Sequence, residues 1–157
     1  METFAFILAN LPVIGQRMLE HVSLVAVSVG VAIATGVPIG IAITQSRAAA
    51  DRVLYVAAIV MTIPSIALFG ILIPILSTIG HGIGYLPAVI ALILYAQLPI
   101  IRNTYTAIMN VDPALREAAR GMGMTTLDRL RRVEIPVALP VIVTGIRNAV
   151  VLNIAIA

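Results

Sequence analysis

Residues 53–101 read VLYVAAIVMTIPSIALFGILIPILSTIGHGIGYLPAVIALILYAQLPII, 49 consecutive positions without an Asp, Glu, Lys or Arg. A soluble domain cannot run so long without charge, because its elements keep one face in water. About 20 apolar residues cross a ~30 Å hydrocarbon core as a helix, so 49 are too many for one span and enough for two. The break falls at Gly80-His81-Gly82-Ile83-Gly84, where the glycines end a helix and make a turn. This places one span near 53–79 and another near 86–106, with Arg102 snorkelling to the surface.

Upstream, His21–Ser46 is a further charge-free run of 26 residues, giving a span near 22–46. Downstream, an apolar stretch over 136–157 gives a fourth, interrupted by Arg147. The whole chain agrees: 157 residues, 61% hydrophobic, 11% charged, with a mean hydropathy of +1.09. A soluble core of this length cannot hide that much apolar surface. The fold class expected is all-α, a polytopic transmembrane helical bundle. Residues 3–15 are apolar but short and contain Pro12, so residues 1–20 are expected to be an outer-side segment with an interfacial helix. A cleaved signal peptide is disfavoured because no basic region precedes Phe4. The chain stops at Ala157 within an apolar run without flanking charge or aromatic anchor, and at least one more span is expected beyond it.

Several chemistries are excluded. There are no cysteines and no lysines, so there is no thiolate metal site, no Schiff-base lysine and no Walker A loop, which needs Gly-Lys-Ser/Thr. No catalytic residue and no metal cluster is expected; His21 and His81 sit at span ends, where solvated interfacial histidine is the expectation. Seven aromatics and a net charge of +3 argue against a nucleic-acid partner. The ten arginines instead report topology. Arg47 and Arg52 lie in the 44–52 connection, and Arg102, Arg116, Arg120, Arg129, Arg131 and Arg132 in 102–134. Only Arg17 lies on the other side. The positive-inside rule makes the eight-arginine side cytoplasmic and the N-terminus external.

The cytoplasmic connection has a structure of its own. Asp112-Pro113 is an N-cap followed by proline at the first helical position. In the helix that follows, Ala114, Leu115, Ala118, Ala119 and Met122 share a low-profile apolar face, with Arg116, Glu117 and Arg120 opposite. Gly121 and Gly123 stop it; Thr125 with Asp128 resembles a capping box opening a second helix, expected to end before Pro136. Gly123 is expected at positive φ. The outcome is a helix–glycine turn–helix knuckle shaped for docking.

Glu117-Ala118-Ala119, three residues, Gly123, nine residues and Val133-Glu134-Ile135-Pro136 resemble the EAA loop of ABC importer permeases. That pattern is E-A-A, three residues, G, nine residues, I-x-L-P, here with Val133 for Ile and Ile135 for Leu. The resemblance covers the chain from about residue 20 onward. Thr62-Ile63-Pro64-Ser65-Ile66-Ala67-Leu68, Leu98-Pro99-Ile100-Ile101-Arg102-Asn103-Thr104-Tyr105 and Val111-Asp112-Pro113 are similar to the glycine betaine, carnitine and choline branch. The resemblance implies a type I ABC importer permease core over 21–157, with the EAA loop at 110–136, in a bacterial or archaeal plasma membrane. It implies a second permease subunit, homo- or heterodimeric, an extracytoplasmic binding protein, and cytoplasmic ATPases that carry ATP and Mg. This chain would hold no cofactor. Glu117, Ala118, Ala119, Gly123 and Pro136, with Arg116 and Arg120, would couple to the ATPase. The scarce aromatics leave no quaternary-ammonium cage here, which points recognition to the partner protein.

Within the spans, Gly36 and Gly40 form a GxxxG step suited to close helix packing. Thr62, Ser65 and Gln97 are polar at membrane depth and either bond a neighbouring helix or line the translocation path. Arg147, ~10 Å deep when counted from Pro140, either lines the path or is paired structurally. Two other readings stand beside the importer: a permease for amino acids or phosphonates, and a membrane anchor whose knuckle docks another cytosolic partner.

Overall fold

The computed structural model describes residues 2–157, with side chains from Phe6 onward. The described residues form helices and connecting turns without a strand. The elements are α1 (Glu2–Ala9), α2 (Leu11–Ala42), a 3₁₀ turn (Ile43–Gln45), α3 (Arg47–Thr62), α4 (Ser65–Ser77), α5 (Tyr85–Met109), α6 (Pro113–Gly121), α7 (Thr126–Arg129), a π turn (Leu130–Glu134) and α8 (Ile135–Ile156). Among the described residues, three stretches are long and apolar enough to cross a bilayer, Leu11–Gln45, Tyr85–Met109 and Thr126–Ile156, and the bent pair Arg47–Thr62 and Ser65–Ser77 makes a fourth when taken as one span.

The first span, α2, starts earlier than its charge pattern suggests. The break lies at Asn10, and residues 11–20 continue directly into the span instead of forming a separate interfacial helix. Pro12 sits in the first turn, where its missing N–H would have had no partner anyway. At 1.5 Å per residue the 32 residues reach ~48 Å, beyond a ~30 Å core. The surplus end carries one polar cluster, in which Arg17 pairs with Glu20 at 2.9 Å and Gln16 donates to the same carboxylate.

The 53–79 span is not one rod. α3 begins at Arg47, capped by Ser46, whose hydroxyl accepts from the Ala49 amide. The chain then bends by 97° into α4. Pro64 is the cause. It lacks an N–H and drives the preceding residue out of helical geometry, and Ile63 is extended at ψ 123°.

α5 is the central helix. It has twelve buried positions against six in α2 and five in α8. Its register with α2 rises in step: the Ser28 hydroxyl meets the Val89 carbonyl, the Gln97 amide donates to Thr35, and Gly40 lies against Thr104. α2 and α5 are therefore parallel. α3–α4 runs opposite to α5, Ala50 packing with Ile101, Ile63 accepting from the Tyr95 hydroxyl, and Leu68 packing with Ala91. The bent pair thus returns the chain across the bundle. α8 is antiparallel to α5, with Ala138 near Ile108 and Ala149 near Ala96.

Small residues set the helix spacing. A Cβ added at Gly40 would stand 2.6 Å from Thr104 Cβ, and one at Gly145 would stand 2.5 Å from Asn103 Cβ and 2.9 Å from the Pro99 carbonyl oxygen. α2 and α8 each touch α5 backbone-close, the packing that stabilises helix pairs where lipid supplies no hydrophobic drive.

Candidate functional site

Because α2 and α5 are parallel, the 44–46 turn and the 110–134 connection share one end of the bundle, and Gly80–Gly84 lies at the other. Arg47, Arg116, Arg120, Arg129, Arg131 and Arg132 belong to the segments at that shared end, with Arg52 and Arg102 one to two turns into α3 and α5. Thr44, Gln45, Ile108, Met109, Arg116, Arg129 and Glu134 together line a polar cavity of about 90 Å³ there.

The knuckle is built by local rules. The Asp112 carboxylate caps α6 by accepting from the Ala114 amide at 2.8 Å. α6 closes in a Schellman motif: Met124 N–H donates to the Ala119 carbonyl, and Gly123 N–H to that of Arg120. Gly123 takes φ +76° as its position requires, and nothing lies within 4 Å of where its Cβ would be. α7 opens at Thr125, whose hydroxyl accepts from the Asp128 amide at 3.2 Å and donates to the Asp128 carboxylate. That donated bond, reinforced by the charges of Arg132 and Arg131, holds the Asp128 carboxyl below its usual range.

Two expectations about the knuckle change. The helical path that α7 opens does not stop before Pro136; after Arg129 it continues through the π turn straight into α8. Pro136 stands in the first turn of α8, and the wider turn ahead of it absorbs the hydrogen bond proline cannot donate. Arg116 does not share the outer face with Glu117 and Arg120. It turns inward, its terminal nitrogen donating to the Ile108 carbonyl and its Nε lying 3.5 Å from Glu134 Oε1. Ala119 is also turned inward and buried, while Ala118, Glu117 and Arg120 are exposed. The exposed residues of the knuckle therefore include Leu115, Met122 and Leu127, at 43%, 69% and 55%, interspersed along the chain with the charged Glu117, Arg120, Arg131 and Arg132.

Glu134 is the functional candidate that the motif reading passed over. It occupies the variable position of the pattern, and its side chain is only 7% exposed. Its Oε1 accepts from Arg129 Nε at 2.7 Å. The available signal was charge economy, a lone carboxylate two residues before the proline that opens a span.

The four membrane-depth residues do not converge. The Thr62 hydroxyl bonds back to the Ile59 carbonyl. Ser65 lines a recess with Met61, Ile63, Tyr95, Leu152 and Ile156. Gln97 bridges to Thr35 with its amide nitrogen, leaving Oε1 buried without a partner, and borders an apolar groove of about 550 Å³ between α2, α3 and α5. Arg147 is exposed on α8, and no carboxylate among the described residues pairs with it. Among the described residues no His/Cys/Asp/Glu group is arranged to hold a metal ion.

Comparison with known proteins gives concordant matches. The family of binding-protein-dependent transport system inner membrane components matches residues 36–157. An osmoprotectant import permease protein, OsmW of Salmonella typhimurium, is 54% identical over 99% of this chain and 73% of its own length. The glycine betaine/carnitine/choline transport system permease protein OpuCB of Bacillus subtilis is 43% identical over 83% of this chain. The chain spans 57% of that relative's length. Among solved structures, an inward-facing MetNI methionine ABC transporter superposes with a TM-score of 0.76 at 26% identity, over 87% of this chain and 68% of that one.

Proposed function

Since the chain belongs to the family of binding-protein-dependent transport system inner membrane components, we propose that it is the permease subunit of an ATP-driven ABC importer for a compatible solute such as glycine betaine, carnitine or choline. It has no catalysis of its own. ATP and Mg bind a separate cytoplasmic ATPase, an extracytoplasmic protein delivers the solute, and a second permease subunit completes the path. The arginine-rich end faces the cytoplasm and the N-terminus faces outward.

The single observation that carries this reading is the knuckle. Its helix ends are satisfied internally by two caps and a Schellman turn, yet it leaves Leu115, Met122 and Leu127 exposed. Exposed apolar anchors interspersed with charged residues suit a protein–protein contact. Glu117 and Arg120 among them supply orientation, and Gly123 keeps the turn low enough for a close approach. The path reading for Thr62, Ser65, Gln97 and Arg147 rests on polarity at membrane depth alone.

The test is uptake of radiolabelled glycine betaine, carnitine and choline by cells lacking their own osmolyte uptake, supplied with the full permease, its ATPase and its binding protein. Accumulation against a gradient, abolished by an inactive ATPase, is the expected result. Uptake of an amino acid or phosphonate instead would assign another branch, and no ATPase association at all would leave the membrane-anchor reading.

A further inference from the structure

The knuckle must do more than dock: a push on it has to reach the membrane helices. Three observations identify what carries it. Glu134 stands where the π turn meets α8, with 7% of its side chain exposed, and holds Arg129 of α7 at 2.7 Å and Arg116 of α6 at 3.5 Å on one oxygen. Arg116 also donates to the Ile108 carbonyl in the last turn of α5. Behind this cluster Leu130 packs on Ala107, Ile108, Val111, Ala138 and Ile142, the lower ends of α5 and α8. One carboxylate therefore joins both knuckle helices to the first turn of α8 and, through Arg116, to α5. The corner between α2 and α3 packs on the same helix ends, Val37 and Ile41 on this apolar cluster and Ile43 and Ala50 on Ile101, but shares no ion pair with Glu134. Thr44 walls the cavity, but its hydroxyl turns back to the Ile41 carbonyl at 2.7 Å.

We propose that Glu134 is a positioning residue for transport, the strut that ties both knuckle helices to the end of α5 and the start of α8 so that they move together. This rests on the importer reading above and goes beyond it, because docking requires only the outer surface. The chemistry suits the task. A buried carboxylate hydrogen-bonded to one guanidinium and 3.5 Å from a second holds both by charge, and its removal leaves two part-buried cations facing each other. An apolar contact of the same size would let the knuckle slide.

The experiment compares wild type, Glu134→Gln and the swap Glu134→Arg with Arg129→Glu in the full importer reconstituted in proteoliposomes. It reads ATPase attachment, basal ATP hydrolysis, stimulation of hydrolysis by the solute-loaded binding protein, and uptake. For Glu134→Gln the expected result is an attached ATPase with basal hydrolysis within about twofold of wild type, stimulation lost and uptake down at least tenfold. The swap restores part of both. Stimulation and uptake within twofold of wild type in Glu134→Gln would overturn the strut, and so would loss of ATPase attachment, which would make Glu134 a folding or docking residue. A wild-type complex that binds no ATPase would instead sink the importer reading itself.

Discussion

Replacing Gly145 by alanine tests the packing that places every other feature. The new Cβ would lie 2.5 Å from Asn103 Cβ, 2.9 Å from the Pro99 carbonyl oxygen and 3.1 Å from Asn103 Cγ. Ordinary carbon contacts begin near 3.5 Å, so α8 must withdraw from α5 by up to about 1 Å. The Pro99 oxygen is backbone and cannot turn away. Overpacking of this kind costs ~1–3 kcal/mol, offset by the ~0.8 kcal/mol that alanine gains over glycine in a helix. The net is a loss of up to ~2 kcal/mol. Gly40→Ala should behave likewise, since its Cβ would lie 2.6 Å from Thr104 Cβ and 3.0 Å from the Ile101 carbonyl oxygen. Gly30 is the internal control, with nothing within 4 Å. The assay is thermal unfolding of the detergent-solubilised permease, followed by loss of monodisperse protein. Gly40→Ala and Gly145→Ala should melt several degrees low while Gly30→Ala matches or exceeds wild type. Equal stability for Gly145→Ala and Gly30→Ala would refute the close approach of α8 to α5.

Three further outcomes are expected. Cysteines at Ser46 and Thr126 should resist a membrane-impermeant thiol reagent in intact cells while one at His81 reacts; labelling at Thr126 would invert the topology. Arg147→Leu should insert as well as or better than wild type, because a central arginine costs ~2.5–3.5 kcal/mol on insertion, while uptake falls; full uptake would make the exposed arginine merely tolerated. Asp128 is held low chiefly by the Thr125 hydroxyl, so its cap stabilises above the ordinary carboxylate value near ~4 and fades as pH falls through the lowered one. Hydrogen-exchange protection at residues 126–129 should be level from pH 8 to about 5 and decline below about 4, with Thr125→Val already weak at neutral pH.

The residues divide by what physics governs them. Spans follow from desolvation of long apolar runs, which mark α2, α5 and α8, although α2 begins ten residues before its charge gap and α5 and α8 run through Arg102 and Arg147. The knuckle was legible because caps and glycine turns are local: Asp112, Thr125 and Gly123 each act within three or four residues. What escaped was set at longer range. Helical period put Arg116 beside Glu117 on the outer face, but Glu134, eighteen positions on, draws it inward. A span near 53–79 followed from its apolar run, but Pro64 bends it by 97°, and the freed Ile63 carbonyl takes a hydrogen bond from Tyr95 of α5. Pro136 was expected to end a helix, and the π turn instead carries the chain through it.

Attachment of the ATPase to the knuckle is the central claim, and co-purification measures it most directly. The full permease carries an affinity tag and is expressed with its ATPase and binding protein as wild type, Gly123→Asp and Glu117→Lys. Aspartate at 123 must adopt φ +76°, costing ~1–2 kcal/mol, and stands in open space on the docking side. Lysine at 117 reverses charge on the exposed face. The account predicts permease inserted at wild-type levels and binding protein still docked, with recovered ATPase and uptake both strongly reduced in each variant. ATPase recovery and uptake near wild type in both variants would contradict it.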